Sequence, residues 1–268
     1  MRARATPLRV RVLRLLRLAG HLLAGSWVTW ARIPRLDAAA REREIRRWSR
    51  ALLDILNVRL RLPEEPVALP PRCVLVSNHV SWLDVFVVFA VRPAVFVAKS
   101  DVRRWPLVGG LCARAGTLFI ERGNGRHALH INGQVAATLA AGRVFAVYPE
   151  GTTTDGRTMR PFHRALFQPA IDAAATLQPV AIRYTDPGGA WSGAPIYVDD
   201  MSLGDSLWRL VSTRELVAEL RFAAPIAAAG MHRRELARRA ETAIAAALGL
   251  PPPHTTPGRA PDPPGAPP

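Results

Sequence analysis

Cysteine, lysine and acidic residues are all scarce in this chain. Its 268 residues include two cysteines, Cys73 and Cys112, and no metal-ligand spacing surrounds either. That excludes a disulfide scaffold and a zinc module, and points to a reducing compartment. One lysine, Lys99, stands among 36 basic residues, which marks that position for attention. Acidic residues number only 21, leaving a net charge of +15. So large an excess calls for a polyanion or an anionic membrane surface. Long apolar runs are missing too. The charge-free part of the first apolar segment, residues 18–31, is shorter than the ~20 residues a helix needs to cross a bilayer. With 49% hydrophobic and 7% aromatic residues, the chain is neither disordered nor multi-spanning. No internal repeat and no Gly-x-Ser-x-Gly nucleophile elbow occurs.

What is present begins with an apolar segment, residues 8–30, carrying Arg9, Arg11, Arg14 and Arg17. No small-residue cleavage site suggests a signal peptide. A helix with arginines on one side and Leu, Val and Trp on the other is expected to lie among lipid headgroups, with Trp27 and Trp30 at the interface. The competing expectation is a helix packed on the protein's own core. Residues 38–56 form a second amphipathic helix, with Ile45, Trp48, Leu52 and Ile55 at helical spacing. A proline-rich linker follows at 62–72.

From residue 73 onward, β-branched apolar runs alternate with helical patterns. Strands are predicted at 73–77, 94–98, 117–120, 143–148 and 179–184, with a last one at 215–222. Helices are predicted at 82–90, 128–141, 166–176 and 233–248. Such alternation predicts an α/β domain with a mainly parallel sheet flanked by helices, whose chemistry gathers at the carboxyl ends of strands. The expected division is residues 1–61 as docking helices, 62–250 as the catalytic domain, and 251–268 as a proline-rich disordered tail.

The segment Ser77-Asn78-His79-Val80-Ser81-Trp82-Leu83-Asp84 directly follows a predicted strand. Five positions separate His79 from Asp84. On a regular helix that is about 140° of rotation, so the two meet only if His79 is in the loop and Asp84 in the first helical turn. An ionised Asp84 on one imidazole nitrogen leaves the other free to take a proton from a hydroxyl. The plainer alternative is a capping box between Ser81 and Asp84 beside an ordinary loop histidine.

The arrangement Asn-His-x-x-x-x-Asp on a strand-to-helix loop resembles the first motif of the glycerolipid acyltransferases, the 1-acylglycerol-3-phosphate acyltransferase family. Three further segments resemble that family's motifs, in its order: Gly116-Thr117-Leu118-Phe119-Ile120-Glu121-Arg122, Tyr148-Pro149-Glu150-Gly151-Thr152, and Gln178-Pro179-Val180-Ala181-Ile182. The resemblance covers about residues 73–184. It implies a glycerol-3-phosphate acyltransferase-like α/β fold, preceded by a two-helix membrane-docking motif. His79 is then the general base on an acceptor hydroxyl that attacks a thioester directly, and Asp84 orients it. Lys99 and Arg122 are implied to meet a phosphate or headgroup, and Glu150 a glycerol hydroxyl. Gly151 lets backbone amides approach an oxyanion, and Thr152 completes that substrate-binding loop. Acyl-CoA or acyl-carrier protein is the implied donor and a lysolipid the acceptor, with no cofactor and no metal. The implied location is the cytoplasmic face of the inner membrane, monotopic or held by one N-terminal anchor.

One departure bears on the acceptor. Many members carry an arginine where Thr153 stands here, which removes a positive charge, and Arg157 and Arg160 are the candidates to replace it. The Thr-Thr-Asp-Gly version looks like a bacterial subgroup that includes lyso-ornithine lipid acyltransferases. The expectation is acyl transfer to 1-acylglycerol-3-phosphate, giving phosphatidic acid, with lyso-ornithine lipid as the alternative acceptor. A lipid hydrolase and a non-catalytic membrane-binding protein are the readings from other classes. Nucleic acid is not an expected partner, because the basic residues lie along amphipathic helices and no aromatic–basic motif sits on a sheet.

Overall fold

The computed structural model describes residues 6–64, 68–70, 72–104, 108–120 and 125–253. The chain opens with two helices, α1 (Leu8–Ala31) and α2 (Ala38–Ile55). There follow β1 (Val58–Arg61), β2 (Cys73–Ser77), α3 (Leu83–Val91), β3 (Val95–Lys99), α4 (Val108–Ala115), β4 (Leu118–Ile120), α5 (Gly125–Ala140) and β5 (Phe145–Val147). The last part contains α6 (Gln168–Asp172), β6 (Thr176–Thr185), α7 (Leu203–Ser212), β7 (Leu216–Phe222), β8 (Ile226–Ala227) and α8 (Arg233–Leu248).

The strands form one sheet in the order β1-β7-β6-β2-β5-β3-β4, with β8 also on β6. The five from β6 to β4 pair in parallel, while β7 and β8 pair with β6 antiparallel. Strand β2 shows why the sheet is covered on both sides. Cys73 and Leu75 enter one core with α1, α2, α3 and α7, whereas Val74 and Val76 enter the other with α5, α6 and α8. A strand buried on both faces must be apolar throughout rather than alternating.

Several elements differ from the sequence-based expectation, α4 and β8 having no counterpart in it. Val58–Arg61, assigned to the docking segment, pairs in parallel with β7 and belongs to the sheet. The helix expected over 166–176 stops at Asp172, and β6 begins at Thr176 after Ala174 turns the chain at φ 45°. Helix α7 was not foreseen, although Ser202 caps it by accepting from Asp205 N. The proline-rich tail lies outside the described residues after residue 253.

The first helix has two different faces, and one of them packs on the protein as the competing expectation had it. Its inner face packs on the protein through Leu15, Leu18, Leu22 and Gly25. Arg14, expected among headgroups, turns inward instead. Its guanidinium donates to the carbonyls of Val211 (3.0 Å), Thr213 (2.6 Å) and Arg214 (3.1 Å) at the end of α7. Helix ends leave such carbonyls without helical partners, and a cation there is favourable. The outer face exposes Leu8, Leu16, Leu23, Trp27 and Trp30, all at 60% or more. Among the described residues, no helix is long and apolar enough to cross a membrane.

Helices α1 and α2 are clasped at one crossing. The His21 and Trp48 rings stack at 4.5 Å, and each side chain bonds the other's backbone carbonyl. Gly25 makes this possible, since a Cβ there would lie 2.4 Å from Trp48 Nε1. Gly25→Ala is therefore expected to destabilise the protein by about 1–3 kcal/mol through overpacking. Gly20→Ala, where nothing lies within 4 Å, serves as the control and should keep or raise stability, since alanine favours a helix interior. Thermal unfolding and limited proteolysis of α1 would check the pair, and equal behaviour would refute the clasp.

Candidate active site

Strands β2 and β5 are neighbours and run in the same direction. The loops leaving their carboxyl ends, 78–82 and 148–163, therefore meet at one edge of the sheet. The first loop is pinned by Asn78, which is buried. Its Nδ2 donates to Ile182 O (3.0 Å) and its Oδ1 accepts from Ile182 N (2.8 Å). A side-chain amide thus replaces one more rung of backbone pairing between β2 and β6.

Asp84 collects this loop. Its Oδ2 accepts from His79 Nδ1 (2.8 Å), Val80 N (2.8 Å) and Ser81 N (3.0 Å). Its Oδ1 accepts from the Tyr184 hydroxyl (2.7 Å). The residue is 0% exposed. Ser81 Oγ accepts from Leu83 N at 3.3 Å, so a capping exchange is present as well. The histidine contact and the capping contact are not alternatives here, because one carboxylate makes both. With four donors and a position in the first turn of α3, an ionised Asp84 is satisfied without water. Burial and the Asp84 charge push the Tyr184 hydroxyl well above its ordinary range, so it remains a neutral donor.

His79 is set from three sides. Its ring stacks on Tyr148 at 4.1 Å and 6°, and Tyr148 in turn stacks on Phe96 at 5.3 Å. Its backbone N–H donates to Glu150 Oε1 (2.8 Å), and its carbonyl accepts from Thr154 N (2.8 Å). Its side chain is 21% exposed. With Nδ1–H donated to Asp84, Nε2 carries the free lone pair. This arrangement can accept a proton from a hydroxyl and hold the resulting imidazolium.

The second loop is built differently from its expected use. Glu150 is 2% exposed. Its two oxygens accept from the backbone amides of His79 (2.8 Å) and Arg160 (2.8 Å). It is a strut between the two loops, not a group held out to a glycerol hydroxyl. Burial pushes its carboxyl up to about 7, against the two amide donors that favour the charge. Gly151 adopts φ 71°, and a Cβ would fall 2.8 Å from the His163 ring. Its N–H donates to Tyr148 O (3.2 Å), so this amide closes the turn and is already engaged where an oxyanion contact was expected. Thr152 is exposed beside it. Thr153 Oγ donates to the Tyr197 carbonyl.

Lys99 closes β3, two strands along from β2, which is roughly 10 Å away. Its side chain lies outside the described part of the structure, as does the whole of Arg122. Four participants were given no role from sequence: Asn78 and Tyr148, although both stand in the quoted motifs, Thr154 and Tyr184. Tyr184 stands 100 positions from Asp84, and no local spacing could announce it.

The protein-family profile described as Acyltransferase matches residues 61–183. A lyso-ornithine lipid O-acyltransferase of Pseudomonas aeruginosa is 39% identical over 243 residues, covering 88% of this chain and 93% of that protein. A 1-acyl-sn-glycerol-3-phosphate acyltransferase of Neisseria meningitidis is 38% identical over 183 residues, covering 68% of this chain and 71% of that one. Among solved structures, the 1-acyl-sn-glycerophosphate acyltransferase of Thermotoga maritima superposes with a TM-score of 0.66 at 17% identity. That match covers 89% of this chain and 96% of the other, and at such identity it establishes the fold alone.

Two outcomes test the site's construction. Tyr184→Phe leaves Asp84 Oδ1 unpartnered in a buried place, so the protein should lose about 1–3 kcal/mol of stability and part of its turnover. An unchanged unfolding midpoint would remove Tyr184 from the network. For Glu150 the folded state binds its proton more tightly than the unfolded chain. Its contribution to stability is therefore complete below the ordinary value of 4.5 and is lost as pH rises through about 7. Glu150→Gln should flatten the fall of the unfolding midpoint over that window. The variant should also be less stable throughout, because one backbone N–H then faces an amide N–H. A pH slope identical to the parent's would refute this.

Proposed function

Since the chain belongs to the acyltransferase family, we propose that it moves a fatty acyl group from a thioester to the free hydroxyl of 1-acylglycerol-3-phosphate, giving phosphatidic acid. The observation that carries the reading is the 2.8 Å bond from His79 Nδ1 to Asp84 Oδ2, which leaves Nε2 free on a partly exposed ring.

His79 Nε2 takes the proton of the acceptor hydroxyl as its oxygen attacks the thioester carbonyl. Asp84 stabilises the imidazolium that forms. Collapse of the tetrahedral intermediate breaks the carbon–sulfur bond, and the leaving sulfur receives the proton from Nε2. No acyl-enzyme is needed, and the thioester supplies its own activation. Positioning and charge stabilisation are what remain for the protein to provide. The donor is acyl-CoA or acyl-carrier protein, which present the same thioester arm. The apolar outer face of α1, with Trp27 and Trp30, suits a monotopic position on a membrane surface, where the acceptor resides.

A second acceptor is favoured by one observation. Thr153, standing where many family members carry arginine, directs its hydroxyl to the Tyr197 carbonyl and brings no charge to the headgroup. Lyso-ornithine lipid, the acceptor named for the Pseudomonas relative, fits that loss.

Purified protein in mixed micelles, with one labelled acyl donor, would be offered each acceptor in turn. Esterified product from at least one is expected. His79→Ala should lower the rate by about two to four orders of magnitude with an unchanged circular dichroism spectrum. Full activity in that variant would sink His79 as the base. Free fatty acid as the only product would replace transfer by hydrolysis.

A further inference from the structure

The segment after Thr153 folds directly over the histidine loop. Thr154 donates its N–H to His79 O at 2.8 Å. Gly156, at φ 74°, lies so close to Val80 that a Cβ would meet Val80 Cγ2 at 3.1 Å. Thr154 Oγ also donates to Thr158 O at 3.1 Å, closing the turn that presents Arg157. Arg157 is thereby held on the segment that braces His79.

Its guanidinium is oriented as well as placed. The carbon Cζ stands 3.8 Å from the centroid of the Trp191 ring. Trp191 is fixed in turn, donating its Nε1–H to Asp155 O (3.2 Å) and bridging to Thr185 at the end of β6. The neighbouring Ser192 N donates to Tyr184 O (3.0 Å), and Tyr184 is the residue that bonds Asp84. The Asp155 carboxylate accepts the backbone N–H of Arg157 at 2.9 Å. Among the described residues, no ion-pair partner engages the guanidinium itself. Arg160, the other cation nearby, has its backbone N–H tied to Glu150 and no aromatic platform among the described contacts.

A guanidinium stacked on an indole keeps its N–H edge in plane and available, and that edge matches carboxylate and phosphate oxygens two at a time. Stacking also fixes the rotamers before a ligand arrives, lowering the ordering cost of binding.

We propose that Arg157, stacked on Trp191, holds the anionic group of the acceptor's headgroup and so selects acceptors that bear such a group over those that bear none. The proposal rests on the acyl-transfer reading above. The shared chemistry is an oxyanion with two oxygens in one plane, supplied by a phosphate monoester or by the carboxylate of an amino-acid lipid.

The test compares steady-state transfer by the parent, Arg157→Gln, Arg157→Lys and Trp191→Leu. The acceptors are 1-acylglycerol-3-phosphate, lyso-ornithine lipid and uncharged 1-acylglycerol. For the phosphate- or carboxylate-bearing acceptor that the parent uses, Arg157→Gln should raise KM by about tenfold or more, with kcat changed less than about threefold. The donor's KM and the rate with uncharged acylglycerol should not move. Arg157→Lys should recover only part of the loss, because a point charge lacks the stacked fork. Trp191→Leu should raise the same KM by less than Arg157→Gln does. An unchanged KM in Arg157→Gln, with the parent active, overturns the proposal alone. So does an equal rise for the uncharged acceptor, which would mark a structural role. A parent that transfers neither to 1-acylglycerol-3-phosphate nor to lyso-ornithine lipid overturns the functional reading and Arg157's role with it.

Discussion

A carboxylate with no water around it is the constraint on which this site depends. Asp84 is fully buried, and a buried charge is tolerated only where donors replace its hydration. Those donors are the His79 ring, the amides of Val80 and Ser81, and the Tyr184 hydroxyl. Each comes from a different requirement of the fold. The two amides belong to the turn that starts α3, the hydroxyl comes from β6, and the imidazole is the partly exposed group. Moving any of them takes a donor from the buried carboxylate, so the local turn, the strand register and the histidine's orientation are coupled through one group.

Glu150 repeats the device one strand away with a different balance. Its two oxygens hold amides of His79 and Arg160, and so tie the β5 loop to the β2 loop. Unlike Asp84 it has only two donors and sits near another carboxylate, and burial pushes it up to about 7. The result is a rigid floor under His79. Tyr148 and Phe96 stack beneath the ring, and Thr154 holds the histidine's carbonyl. The imidazole therefore has little freedom except at Nε2, which is what a base in direct acyl transfer requires.

Legibility in the sequence followed the range of the interaction. The His79–Asp84 pair was readable because both residues lie in one strand-to-helix junction, with Asp84 in the first turn of the helix. The parallel sheet was readable from runs such as Cys73–Ser77, which are apolar on both faces. Tyr184, Asn78's grip on Ile182 and Arg14's grip on the end of α7 were not, since each joins residues about 100 or more positions apart. Glu150 was recognised but its direction was misjudged, because a motif specifies a residue type and not which way the side chain turns. Strand β1 was passed over because Val58-Arg59-Leu60-Arg61 alternates in the manner of an exposed edge and directly follows an amphipathic helix.

The two faces of α1 solve opposing problems with one helix. Inward, Leu15, Leu18 and Leu22 join the core, and Arg14 closes the end of α7. Outward, five large apolar side chains remain at 60% exposure or more, continued toward the helix start by Trp208, whose ring lies under Arg11. A row of that size is larger than scattered surface leucines require, and it gains stability only when something apolar covers it. A lysolipid acceptor, itself half embedded in a membrane, is the substrate for which such a cover is always at hand. Because α1 is clasped to α2 through Trp48, and α2 packs on α3, a surface seated on that row stands in fixed relation to the helix whose first turn holds Asp84. The proposed chemistry and the apolar face thus share one rigid path.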